Sequence, residues 1–210
     1  LLLLIVALVA AGWLYSQGLR VGKPGWDDGL TLAHWRWQPD DCAPVAGEEL
    51  VLRDLFPLTV HTRTVTVTAC DSGADDDGFV MPESLPWTPP FALSIDTLQI
   101  PELAGVVPPP LQVKARQQQQ RWSLQVESPQ SDLKAEYSRD DGQWSLQGNG
   151  ALKEWLADWQ GTWQLDGEGV WQGQPTGTLN ATLQDAGLQS QPQKADLAMK
   201  ARFTLSLIHI

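Results

Sequence analysis

The sequence predicts a mainly β protein: an N-terminal transmembrane helix, then an extended, twisted antiparallel sheet with one short helix, the sheet forming a β-groove or an open sandwich. Three observations carry that prediction. Residues 91–100 read FALSIDTLQI, with apolar side chains at Phe91, Leu93 and Ile95 and again, after a slip of one residue, at Leu98 and Ile100. Alternation marks a half-buried strand, and the slip would turn the apolar set to the wrong face unless a β-bulge absorbs it. The pattern recurs at Leu30, Leu32, Trp35 and Trp37, in part at Leu50, Leu52 and Leu55, and loosely at Val60, Val65 and Val67 with Thr62 in an apolar slot. Second, 11 tryptophans in 210 residues favour sheet, because the indole joins strand propensity to a large apolar area. Third, helical periodicity occurs once, at Leu152, Trp155, Leu156 and Trp159, with Gly161 placed to end it.

In chain order, residues 1–15, LLLLIVALVAAGWLY, carry no charge. As a helix they would span about 22 Å, short of the ~30 Å hydrocarbon layer. The chain opens without Met, so the expectation is a transmembrane anchor over 1–17 whose start is missing. Trp13 and Tyr15 then fall at the interface and Arg20 and Lys23 outside it. A cleaved signal peptide, with small residues at Ala10, Ala11 and Gly12, is the alternative. Either way, 18–204 is expected to be an exported β-rich region.

Residues 22–29 read as a loop, followed by strands at 30–37, 49–55, 58–69 and 91–100. The acidic run DSGADDDG at 71–78 is a solvated turn: an EF-hand loop would need an acid where Gly73 stands and Glu where Ser84 stands. Residues 101–110, PELAGVVPPP, form a stiff extended link. An antiparallel meander follows, with strands at 111–116, 122–127, 133–138 and 144–147, a connection through the glutamines 117–120, and a hairpin turn at Arg139-Asp140-Asp141-Gly142. The tetrapeptide WSLQ begins at Trp122 and again at Trp144, 22 residues later. Beyond the short helix come strands at 162–165 and 169–172, joined through Asp166-Gly167, then at 178–184 and 195–204. The closing LSLIHI matches read-through into a sequencing adapter, so 205–210 is expected to be a non-native tail and the β region incomplete at its C-terminus; an ordinary apolar strand end is the alternative.

The net charge is −11, from 14 Lys and Arg against 25 Asp and Glu. That balance argues against nucleic acid, whose binding needs cationic patches. Cys42 and Cys70 lack the spacing of a zinc site. Export would put them in an oxidising compartment and favour a disulfide between them, which would stabilise the fold by roughly 3–4 kcal/mol; two half-buried thiols are the alternative. His34 and His61 read as strand-face side chains, and the carboxylates cluster in turns. No nucleophile elbow, phosphate loop or zinc-binding HExxH is present, so the sequence points away from an enzyme, with no catalytic residue, metal or cofactor.

An amphipathic sheet must cover its apolar face, and one short helix cannot serve some dozen strands. Either another sheet or an apolar ligand does so. The candidate face comprises Leu93, Ile95, Leu98 and Ile100 with Val113, Trp122, Leu124 and Val126. Ordinary sandwich core is the other reading of the same residues. Exposed indoles at Trp26, Trp87 or Trp171 would suit a glycan-binding module instead.

The strands at 30–37 and 91–100, the proline-rich link at 101–110 and the run Gly161-Thr-Trp-Gln-Leu-Asp-Gly167 resemble the AsmA-like bacterial envelope proteins. The similarity is to the YdbH branch, related to TamB and YhdP. It implies a single-pass inner-membrane protein with its bulk in the periplasm, moving phospholipid along a hydrophobic β-groove towards the outer membrane. A partner would be an outer-membrane lipoprotein or barrel. The TamB relatives imply an alternative role in assembling outer-membrane proteins.

Overall fold

The computed structural model describes residues 18–26, 29–38, 45–68, 90–101, 108–172, 174–191 and 193–204. Thirteen strands form one sheet. They are β1 (Leu19–Val21), β2 (Pro24–Trp26), β3 (Leu30–Trp37), β4 (Val45–Leu55), β5 (Leu58–Val67), β6 (Phe91–Gln99), β7 (Leu111–Gln118) and β8 (Arg121–Ser128). After these come β9 (Ser131–Ser138), β10 (Gln143–Ala151), β11 (Trp159–Gln172), β12 (Gln174–Leu188) and β13 (Ala195–Thr204). From β3 to β13 each strand pairs with its sequence neighbours, while β1 and β2 share the outer edge of β3. The edges do not close into a barrel, and the described residues supply no second, facing sheet, so the sandwich form of the prediction does not hold for them.

The slipped alternation is the feature that builds the N-terminal half. Bridge partners share a face, and Leu32↔Leu50↔Thr62↔Ile95↔Val113 is one continuous line of them. Trp35↔Gly47↔Val65↔Leu98↔Leu111 is the next. The two lines are three residues apart in β3 to β6 but two apart in β7, so four adjacent strands each carry one extra residue. The mismatch surfaces as a bulge between Ile95 and Leu98 on β6, where the sequence pattern places it. In β4 the extra residue is Glu49, whose φ of 52° lies in the left-handed region. The crease is tied together on the polar face: Arg63 Nη1 lies 2.9 Å from Glu49 Oε1, and His61 Nε2 lies 3.0 Å from Asp96 Oδ1.

Four expectations are corrected. The sheet is mixed, because β5 and β6 are parallel, with Leu58 opposite Phe91; the residues between them are enough for the long crossover a parallel pair requires. The short helix is a single 3-10 turn, Leu152–Glu154, and Trp159 already belongs to β11, paired with Leu188. Ladder pairing with β12 outcompetes two turns of helical periodicity. Asp166-Gly167 makes no turn; β11 runs unbroken through it, with Gly167 between Leu146 and Leu179. Finally, Pro24–Trp26, expected in a loop, adds a strand to β3. Among the described residues no helix is long and apolar enough to cross a membrane. The apolar run 1–17, both cysteines and the tail 205–210 lie outside them.

Candidate functional site

Following bridge partners across the sheet sorts one face into four files that run perpendicular to the strands. One file begins Leu30, Leu52, Val60, Leu93, Ala115, Leu124 and continues Ala135, Leu146, Gly167, Leu179, Ala201. Its neighbour passes through Ile95, Val113, Val126 and Leu133 to Leu165, Ala181 and Met199. A third passes through Val65, Leu98 and Leu111 and reaches Trp163, Leu183 and Leu197. The fourth is aromatic: Phe91, Gln117, Trp122, Tyr137 and Trp144 are successive partners on β6 to β10. No Asp, Glu, Lys or Arg stands in any file. The other face carries the charges, with Lys114 Nζ 3.9 Å from Glu127 Oε2 and Asn149 Nδ2 donating to Asp132 Oδ1 at 2.7 Å.

Seven of the eight sequence-derived candidates share this face: Leu93, Ile95 and Leu98, Val113, and Trp122, Leu124 and Val126. Ile100 follows the last residue of β6 and joins no ladder. The WSLQ repeats occupy equivalent sites, Trp122 and Trp144 flanking Tyr137 while Leu124 and Leu146 flank Ala135. Of the three indoles considered for glycan stacking, Trp26 is 82% exposed. Trp171 packs against Tyr137 with ring centroids 5.6 Å apart, and Trp87 is outside the described residues.

The tryptophans lie over glycines. A Cβ on Gly167 would come within 3.1 Å of the Trp144 ring and one on Gly169 within 2.8 Å; Gly148 stands in the same relation to Trp163, at 3.0 Å. Removing a side chain on one strand makes room for a flat indole from the next, which gives a smooth apolar surface without voids. Phe91 and Trp122, on strands separated by β7, meet edge to face at 5.3 Å across the strand that carries Gln117. Gln117 is 5% exposed, and its Oε1 has no hydrogen-bond partner among the described residues. Sequence reading assigned it to a connection; continuing the alternation of Leu111, Val113 and Ala115 by one step would have placed it on the face.

Despite its composition the face is not a closed core. Val65, Leu111, Val113 and Tyr137 are its buried large apolar residues, most of the rest are half-buried, and Leu124, in the middle of the sheet, is 39% exposed. With strands ~4.8 Å apart and files ~6.8 Å apart, the surface from β3 to β13 covers on the order of 1,000 Å². The largest apolar patch on an ordinary soluble monomer is about 300–600 Å². A hollow of about 600 Å³ lies on the opposite, polar face, among Arg121, Glu136, Ser138, Glu168 and Thr178; its mixed charges and open form suit water. No group of three or more metal-ligating side chains occurs among the described residues.

The four files thus form a long apolar face without charged side chains that the other described residues leave largely uncovered. Residues 1–209 match a model of the YdbH-like family, described as the intermembrane phospholipid transport protein YdbH. The chain belongs to the YdbH-like family. No curated protein and no solved structure matches it. YdbH-like proteins are a phospholipid-transport family, not an enzyme family, and the sheet fits lipid transfer.

Proposed function

We propose that this chain is the membrane-proximal part of a phospholipid conduit. Residues 1–17 anchor it in the bacterial inner membrane, and 18–204 stand in the periplasm as a β-groove whose apolar files hold acyl chains in transit between inner and outer membranes. At the far end such a conduit delivers to an outer-membrane lipoprotein or barrel. The observation that supports the reading is a face that the described residues leave uncovered: a mid-sheet leucine, Leu124, remains 39% exposed in a file without charges. The family's cargo supports phospholipid over other apolar ligands.

Lipid extraction and native mass spectrometry of the purified chain test this. Bound phospholipid is expected, with uptake from phosphatidylethanolamine–phosphatidylglycerol vesicles. Protein that is lipid-free and takes up none would refute the proposal. Crosslinks to nascent outer-membrane barrels in place of lipid would support an assembly role of the TamB kind instead.

A further inference from the structure

We propose that the face holds phospholipid in one polarity: tails lie along the strands with their ends at the rim of the 3-10 turn, and the glycerophosphate end lies at the aromatic file. This rests on the lipid-groove reading. Two independent features break the symmetry between the rims.

The first is a lip on one side only. Following β10, the turn at Leu152–Glu154 folds onto the apolar face, because Glu154 reaches two serines that belong to it. Glu154 Oε2 accepts from Ser128 Oγ at 2.8 Å and from Ser131 Oγ at 2.5 Å, while Oε1 accepts from the Gln130 amide at 3.0 Å. Trp155 Nε1 donates to Ser131 Oγ at 3.3 Å, and Leu152 is 8% exposed beneath the turn. Over β8 to β10 this rim is therefore walled, and a hydrated headgroup cannot project past it without opening the clamp.

The second is the chemistry of the opposite rim. Over β6 to β10 the file on this rim is aromatic, whereas the lip-side file holds Leu98, Leu111, Ser131 and Gly150 there and carries its indoles, Trp35 and Trp163, to either side. Aromatic rings with a polar tip are the residues that settle where hydrocarbon gives way to headgroups. Tyr137 and Trp122 supply such tips, and the buried amide oxygen of Gln117 among them lacks a donor among the described residues. A glycerol hydroxyl or an ammonium headgroup has that donor.

The dimensions agree. Between the aromatic file and the file nearest the lip lie three steps of ~6.8 Å, about 20 Å in all. One leaflet's hydrocarbon depth is ~15 Å, half of the bilayer core. A single set of acyl chains thus fits crosswise between lip and aromatic file, with neighbouring lipids side by side along the sheet.

Photo-crosslinking of the full chain tests the polarity. Two phosphatidylethanolamine probes are used, one with a diazirine at the terminal carbon of an acyl chain and one with it on a headgroup carbon so that the ammonium is kept, each delivered from phosphatidylethanolamine–phosphatidylglycerol vesicles and mapped by peptide mass spectrometry. The tail probe is expected on Leu111, Leu152 and Trp155, and the headgroup probe on Trp122, Tyr137 and Trp144. Equal distributions of the two probes over the face, or the reverse order, would overturn this proposal while leaving lipid binding intact. Absence of either label from the apolar face would overturn the groove reading and this one with it.

Discussion

Replacing Leu124 by Asp separates the role of the apolar face in folding from its role in binding. Leu124 is 39% exposed, so about three-fifths of its surface is covered. Full burial of a leucine contributes about 1.5–3 kcal/mol, and the loss on substitution is then about 1–2 kcal/mol. Its in-register neighbours Ala115 and Ala135 are small, which leaves water room to solvate the new carboxylate. An acyl chain laid over the site faces a different situation, since a charged side chain inside hydrocarbon costs ~2.5–3.5 kcal/mol. That corresponds to roughly 10²-fold weaker lipid contact there. The assay is labelling of the peptide spanning 111–138 by a phosphatidylcholine with an acyl-chain diazirine, alongside a thermal melt. Leu124→Asp should melt cooperatively and lose the label, whereas Ser123→Asp, on the polar face between Arg116 and Glu136, should keep it. A folded Leu124→Asp protein that labels like the wild type would show that lipid does not travel over this face.

Four further outcomes are expected. Gly177→Val sets a side chain into the Trp144 ring and the Glu168 carbonyl; overpacking of this kind costs about 1–3 kcal/mol, read as a lowered melting midpoint, and an unchanged midpoint would mean that the indole moves freely. Glu154→Ala strands three donors and should cost about 1–3 kcal/mol in a denaturant titration. Hydrogen bonds from the Ser138 side chain and from the Gln143 amide hold the Asp141 carboxyl below 3.8. A depressed carboxylate contributes stability that is complete above the unfolded value and lost as pH falls through the folded one, so Asp141→Asn should lower stability at neutral pH and flatten the profile below about pH 4, where the two proteins converge. Export into an oxidising compartment favours a disulfide between Cys42 and Cys70. A non-reduced digest should contain the linked peptide pair, and two alkylatable thiols in the oxidised protein would refute the link.

Strand character and the crease were legible because both are written locally. Leu30, Leu32, Trp35 and Trp37 name a face and its slip without reference to any other segment, and β4 to β6 repeat the instruction. Thr62 sits in the slot that the pattern gave it, with its Oγ1 donating to the Glu48 carbonyl at 3.0 Å. What the sequence hid depends on partners. Asp166-Gly167 is a turn by composition, yet the missing Cβ at Gly167 serves Trp144, 23 residues away, and Asp166 accepts from Gln164 Nε2 at 3.1 Å on the polar side. The parallel pairing of β5 with β6 is set by which strand edge is free when the chain returns, and no property of either strand records that. Among candidate residues, the aliphatic ones declared themselves by alternation. Gln117 did not, because its place on the face is defined by Phe91 and Trp122 beside it, and Glu154 acts through serines on another hairpin.

The twin WSLQ hairpins bear on how such a molecule could lengthen. The step from Trp122 to Trp144 is 22 residues, and it advances the sheet by two strands, about 9.6 Å. Both ends of that unit present the same side chains in the same order, and each strand is hydrogen-bonded only to those beside it. Duplicating the unit would therefore add another stretch of identical track without disturbing what lies on either side, so the reach of the protein can be tuned by copying gene segments while the chemistry of the path stays constant.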